Sequence, residues 1–405
     1  MAKAPIIAHA DMDAFYVEAE LLDKPELHGA KVIVAGEGRS VVLSASYQAR
    51  ADGVHSAMPL SRAVRLSPES TVLPPQMSRY RDLSVGIMAY FDTLTERKEQ
   101  VSVDEAFLDL TGAVRRLGTA EQMAAMIRGD IRQQFGLPVS VGVADRKFIA
   151  KIASTQAKPD GLFLVPPAER LSFLHSLPVT ALWGVGGKTA QALQDMGLRS
   201  VDQLAATPRE TLSRRFGVSG EHLHDLAWGH DPRQVEPVRA EKSIGAEDTF
   251  ATDISSTEEL STELLRLSHK VAARLRAAGL RATGVSLKLR WSDFSTLTRS
   301  ATLVHPTQAA SQLHRHAVGL LHALGDRPQP VRLMGIRAER LGADDGSLQL
   351  SLTDAGQDGH EEERLAAERA LDAVAGRFPA ISAGPASLLK RPPRSPGGPQ
   401  QADGG

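Results

Sequence analysis

The spacing of apolar and polar positions changes several times along the chain. "PIIAHADMD", residues 5–13, is apolar and closes on carboxylates, which predicts a strand; "AFYVEAELL" after it predicts a helix. "AKVIVAG" and "RSVVLSAS" are two further strand-like runs, with helical segments near Tyr47–Ala51 and Leu60–Leu66. "VLPPQMSRYRDLSVGIMAYFDTL" reads as a loop entering a long helix. "VSVDEAFLDL", Val101–Leu110, alternates as strand, turn and strand. A helix over Ala120–Phe135 follows, then "LPVSVGVADRKFIAKIASTQAKPDG": a strand, a helix and a Pro-Asp-Gly stop. This alternation predicts an α+β or α/β unit up to about Val165.

From there to about residue 240 the strand signal vanishes. "LPVTALWGVGGKTAQALQDMGLRSVDQLAATP" reads as short helices with tight glycine turns, and "TLSRRFGVSGEHLHDLAWGHD" resembles it as a weak internal repeat. "PVRAEKS" reads as a linker. Strand patterns return at Ile244 around one strong helix, "STEELSTELLRLSHKVAARLRAAGL", whose Ser256 and Glu259 fit a capping box. The Pro/Gly-rich end, "KRPPRSPGGPQQADGG", has the composition of a disordered segment.

With 405 residues the chain has room for two to four domains. Cysteine is absent, which excludes disulfides and cysteine-zinc sites and suits a reducing cytosol. The opening residues lack the apolar core of a signal peptide, and no apolar run is long enough to predict a membrane span. The formal net charge of -1 conceals an uneven distribution. Residues 238–342 hold 15 Lys/Arg against 10 Asp/Glu, and residues 343–405 hold 6 against 10, so a basic segment joins an acidic tail.

Asp104 and Glu105 sit side by side within an apolar run. Neighbouring strand residues face opposite ways, so one carboxylate would be buried at a cost of several kcal/mol or take up a proton. A tight turn at Asp104–Glu105 would let both point to one side, and a hard divalent cation would remove the cost of burial. "HADMDAF" supplies a third carboxylate: Asp11 and Asp13 share a strand face, with Asp11 at the strand end. An acidic strand end beside an acidic hairpin suits two-metal phosphoryl transfer, with ions about 3.5–4 Å apart. A surface turn would also accommodate an Asp-Glu pair.

Six segments then occur in order: "HADMDAFYVEAE", "SASYQARADGVHSAMP", "VSVDEAFLDLTG", "VSVGVADRKFIAKIASTQAKPDG", "WGVGGKTAQALQDMG" and "EKSIGAEDTF". Together they resemble the successive motifs of the Y-family DNA polymerases, over roughly residues 5–378. The resemblance implies an α+β right hand: palm at 1–14 and 77–166, fingers at 15–76, and a helical thumb with a helix-hairpin-helix at 167–236. A linker at 237–243, a basic α+β little finger domain at 244–342 and an acidic tail at 343–405 would complete it. Residue by residue, Asp11 and Asp104 match the family's metal-binding aspartates, Glu105 its catalytic glutamate, and the Met12 carbonyl a backbone ligand, with two Mg²⁺ ions as cofactor. Asp13 and Asp109 match motif positions with no ligand role, which implies hydrogen bonding at strand ends. Tyr47, Arg50 and Lys158 match triphosphate contacts, Ser44 a small hydroxyl position, and the Phe15 and Tyr16 N–H groups could meet phosphate. Tyr16 matches the steric gate that excludes a 2'-hydroxyl.

For DNA, Gly184, Gly186 and Lys188 lie in a Gly-x-Gly-Gly turn that lets backbone N–H groups approach phosphate without reading sequence. In "TGVSLKLRW", Val285, Leu287, Leu289 and Trp291 alternate with Ser286, Lys288 and Arg290, so one face packs and the other offers cations. Lys242 is the second residue of the last family motif. Gln349, Leu350 and Leu352 in "SLQLSLTD" resemble the peptides that dock bacterial polymerases on the sliding clamp, departing at Thr353, where a large apolar residue is common; an edge strand is the other reading. The expectation is a cytoplasmic, monomeric polymerase acting on primer-template DNA and dNTPs past template damage. Its fidelity would be low, with no membrane contact and no proofreading exonuclease domain. A different metal-dependent phosphotransferase or cyclase, or an idle DNA-binding protein, would each use only one of the two residue sets.

Overall fold

The computed structural model describes residues 4–238, 240–325, 329–344, 358–378 and 388. It divides into two compact units, Met1–Arg239 and Ala240–Gly405.

In the first unit, strands β1 (Ile7–Met12), β2 (Val32–Ala35), β3 (Val42–Ala45), β4 (Thr71–Leu73), β5 (Lys98–Gln100), β6 (Glu105–Asp109), β7 (Val139–Ala144) and β8 (Leu162–Leu164) form two sheets. The larger has the order β5-β6-β1-β7-β8, and the smaller β3-β2-β4. Alternation along β1 sends Ala8, Ala10 and Met12 to a core shared with Tyr80, Phe91, Met123 and Ile127, from the helices Met77–Leu94 and Ala120–Phe135. Ile7 and Phe107 face the other way, onto Phe148 and Ile152 of the helix Lys147–Ala157. That helix lies directly on β7. A Cβ on Gly142 would stand 2.1 Å from the Ser154 nitrogen and 2.2 Å from the Ala150 oxygen, so only glycine permits the approach. Residues 167–227 are helical, as expected, and the turn residue Gly184 has a positive φ of 96°.

The predicted helices at Tyr47–Ala51, Leu60–Leu66 and Ala120–Phe135 form over those residues. The hairpin at 101–110 differs from expectation. Its first strand is β5, earlier in the chain, and Glu105 already pairs in β6, so the turn spans residues 101–104 and ends on Asp104. Ser102 moves it: its hydroxyl accepts the N–H groups of Asp104 (3.2 Å) and Glu105 (3.1 Å). The short strands β4, β5 and β8 have too few residues to show a period.

The second unit is a four-stranded antiparallel sheet of β9 (Ser243–Ile254), β10 (Leu280–Trp291), β11 (Thr296–Thr307) and β12 (Val331–Ala343), ordered β11-β10-β12-β9. Val285, Leu287, Leu289 and Trp291 pack on the helices Thr257–Ala277 and Ala310–His322, as the alternation predicts. Ser256 forms its half of the predicted cap, accepting from the Glu259 nitrogen at 3.2 Å. The acidic segment is in part a packed element: Asp358–Arg377 is a helix, and its Glu368 and Asp372 pair with Arg276 at 2.5 and 2.6 Å. The clamp-like residues Gln349, Leu350 and Leu352 and the Pro/Gly-rich end lie outside the described residues. Among the described residues no helix is long and apolar enough to cross a membrane.

Candidate active site

The register of β1 against β6 places Asp11 opposite Glu105, and the Asp104 carbonyl accepts the Met12 N–H at 3.0 Å. Three carboxylates therefore meet at one end of the large sheet. Like charges directly across a strand pair destabilise it unless cations intervene. Here lysines do so. Lys151 Nζ is 2.5 Å from Glu105 Oε2, and Lys158 Nζ is 2.7 Å from Asp11 Oδ1. Burial alone would raise the Glu105 carboxyl, but the neighbouring His9 ring and the Lys151 ammonium outweigh it and hold the group at about 2. Asp104 carries no such partner. Burial pushes its carboxyl up and the Asp11 and Glu105 charges add to this, while the Ser102 hydroxyl hydrogen bond opposes.

His9 lies fully buried beneath the pair. Its Nδ1 meets the Ser154 hydroxyl at 2.7 Å, and its Nε2 is 3.4 Å from Glu105 Oε2. Desolvation holds the imidazole below its ordinary range, and the ring lies tilted at 56° against Phe107, 4.5 Å between centroids. Neither His9 nor Lys151 was anticipated. The readable signal for Lys151 is a stripe: Lys147, Lys151, Ser154 and Lys158 recur at helical spacing, all on one face.

Asp13 is 1% exposed and well hydrogen-bonded. It accepts from the Tyr47 hydroxyl (2.9 Å), the Ser140 hydroxyl (2.9 Å) and the Asp160 N–H (2.6 Å). Asp109 likewise accepts the Thr111 N–H at 3.0 Å. Both do the strand-end hydrogen bonding expected of them. The Arg50 guanidinium lies 4.9 Å from the Tyr47 ring centroid and donates to the Ala45 carbonyl at 2.8 Å, so Tyr47 and Arg50 share a face. Tyr16 is half-buried between Tyr80 (4.8 Å) and Phe15 (5.5 Å). Burial, then the Asp104 charge, raises its phenol, which places the ring beside the carboxylates. Phe15 and Ser44 are buried, at 2% and 4% exposure.

The sheet end thus brings together Asp11, Met12, Asp104, Glu105, Tyr16 and Lys158, with Tyr47 joined through Asp13. Gly184, Gly186 and Lys188 are exposed elsewhere in the same unit, with open space around both glycines. In the second unit Lys242 is exposed, Lys288 pairs with Glu247 at 2.8 Å and Arg290 donates to Thr296 at 3.1 Å. A cavity of about 960 Å³ lies at the opposite end of the large sheet, among Ile7, Asp109, Asp145 and Arg233, away from the carboxylates.

Among the described residues no three His, Asp or Glu side chains converge as a closed metal cage, and ammonium groups sit on two of the carboxylates. The donor set nevertheless fits hard divalent cations. All three side chains offer oxygen, the donor that hard divalent ions take, and Glu105 lies directly across the strand pair from Asp11.

The impB/mucB/samB family model matches residues 10–155, its C-terminal domain residues 241–352, and the family's HHH motif residues 167–198. A protein named DNA polymerase IV from Desulfatibacillum aliphaticivorans is 40% identical over 385 residues, covering 95% of this chain and 97% of the relative. One of the same name from Caulobacter vibrioides is 41% identical, covering 95% and 94%. Among solved structures, a Y-family DNA polymerase chimera of Dbh and Dpo4 matches with a TM-score of 0.76 at 24% identity, over 83% of this chain and 98% of that one. At that identity it speaks for the fold. With family models across most of the chain and relatives similar over nearly their whole length, the chain belongs to the impB/mucB/samB family, the Y-family DNA polymerases.

Proposed function

We propose that the carboxylate end of the five-stranded sheet carries the chemistry of this translesion DNA-directed DNA polymerase. Polymerases of this family depend on divalent metal ions. In our reading Asp11, Asp104, Glu105 and the Met12 carbonyl hold two Mg²⁺ ions. The observation that carries this is the register that sets Asp11 against Glu105, with Asp104 on the adjoining turn. When bound, the ions lower the pKa of the primer 3'-hydroxyl and neutralise charge on the leaving pyrophosphate oxygen.

The chain's own groups do the rest. Glu105 is ionised ahead of substrate, so it offers an oxygen donor without first losing a proton. Tyr47, Arg50, Lys158 and the Phe15 and Tyr16 N–H groups receive the triphosphate, with Ser44 behind them on β3. The Tyr16 ring, held by Tyr80 and Phe15, excludes a 2'-hydroxyl. Gly184, Gly186 and Lys188 hold DNA phosphate, as do Lys242, Lys288 and Arg290. The large sheet is then the palm (1–14 and 77–166), the small sheet the fingers (15–76), the helical segment the thumb (167–236), and the second unit the little finger (244–342), after a linker at 237–243. The enzyme acts as a cytoplasmic monomer, and Gln349, Leu350 and Leu352 dock a sliding clamp.

Primer extension tests the assignment. Asp104→Ala or Glu105→Ala abolishes extension while primer-template affinity stays within about a few fold, because phosphate contacts elsewhere dominate binding. Extension near the unmutated rate by either variant sinks the metal assignment.

A further inference from the structure

Three lysines follow one another along the helix Lys147–Ala157 and its exit, and each meets a carboxylate: Lys147 with Glu99 at 2.5 Å, Lys151 with Glu105 at 2.5 Å, Lys158 with Asp11 at 2.7 Å. Their settings differ. Lys147 is buried, and Lys151 is backed by the Trp183 ring at 5.8 Å. Lys158 lies past the helix end, 22% exposed, on a flexible stem with no aromatic ring behind it among the described residues. Its ammonium also lies 3.7 Å from Asp13 Oδ1, beyond hydrogen-bond reach, and Asp13 already accepts from three other donors. The main claim on Lys158 is therefore the Asp11 carboxylate, the group that the proposed function gives to a divalent ion. An ammonium seated on Asp11 takes an oxygen that a divalent ion would need, and a triphosphate offers that ammonium a second anion.

We propose that Lys158 stands in for the divalent cation on Asp11 in the nucleotide-free site and is drawn off by the triphosphate, so metal and dNTP enter together rather than in sequence. The inference rests on the metal-site reading above. An ammonium and a divalent ion compete for the same oxygens, and the anionic triphosphate relieves that competition by supplying Lys158 with another partner. Metal and nucleotide then favour each other by one reciprocal factor. The empty site also avoids leaving Asp11 and Glu105 facing each other uncompensated.

Mn²⁺ serves as the probe, because free Mn²⁺ can be counted by electron paramagnetic resonance. Full-length protein is titrated with and without dATP, and no primer is present, so nothing is extended. In the wild type, dATP tightens Mn²⁺ binding by about tenfold, within the roughly 5–150-fold range usual for coupled ligands. Lys158→Met tightens Mn²⁺ binding about tenfold without dATP, and most of the dATP effect disappears. Lys158→Arg, which keeps the charge, stays near the wild-type value. Equal Mn²⁺ affinity of Lys158→Met and wild type without dATP overturns the proposal, and so does tightening by Lys158→Arg as large as that by Lys158→Met. A different failure strikes the underlying reading instead. If Asp11→Asn leaves Mn²⁺ binding in the presence of dATP unchanged, Asp11 is not a metal ligand at all.

Discussion

Asp13→Ala separates scaffold from catalyst in "DMD". Asp13 is buried and accepts three hydrogen bonds, from Tyr47, Ser140 and the Asp160 backbone. Removing the carboxylate strands the Ser140 hydroxyl, which is 0% exposed, at a cost of about 1–3 kcal/mol for an unsatisfied buried donor. Tyr47 and Asp160 are only part-buried and can turn to water, so each loses about 1–2 kcal/mol of charge-assisted bonding. Relief of the buried charge offsets part of this. The net loss is about 3 kcal/mol, which lowers the melting temperature of a unit this size by roughly 6–12 °C. Calorimetry of the full chain measures it. Kinetics should show the KM for dNTP rising, because Tyr47 loses its anchor, with kcat falling by less than about tenfold. Abolished turnover with an unchanged melting temperature would refute the scaffold role and make Asp13 a metal ligand.

Tyr16→Ala should admit ribonucleotides, read as a raised rNTP/dNTP efficiency ratio; an equal fall for both substrates would make Tyr16 a core residue only. Glu105 is held at about 2 against 4.5 for a free glutamate, so its pairing contributes stability above pH 4.5 that is lost as pH falls from 4.5 towards 2. Lys151→Met should flatten that part of the acid-unfolding profile measured in EDTA, and an unchanged slope would show that Lys151 does not set the Glu105 charge. Gln349→Ala with Leu352→Ala should leave clamp-free extension intact and remove most of the stimulation by a loaded clamp. Full stimulation would refute docking there, and a loss of clamp-free activity or melting temperature would favour a structural strand. The absent large side chain at Thr353 should itself weaken docking by about 1–3 kcal/mol.

The sequence alone determined most of the element plan and the chemistry of the site. Long apolar periods predicted β1, the helix Ala120–Phe135 and the packed face of β10, because burying one face requires a repeat that a reader can count. The carboxylates of "HADMD" and "VDEAF" stood out because charge inside an apolar run has to be compensated. Tertiary structure alone decided how the two segments meet. Nothing local in either one states that Asp11 faces Glu105, because register is set by the whole sheet and the cores on its two faces. The hairpin turn settled on residues 101–104, ahead of Glu105, through one serine hydroxyl, a bond that no periodicity records. The strands β4, β5 and β8 exist only because longer neighbours offer them an edge. Lys151, Lys158 and His9 acquired their partners when Gly142 let a helix settle onto β7. Spacing along a chain specifies which side chains share a face, and only the packing of one face on another specifies what they touch.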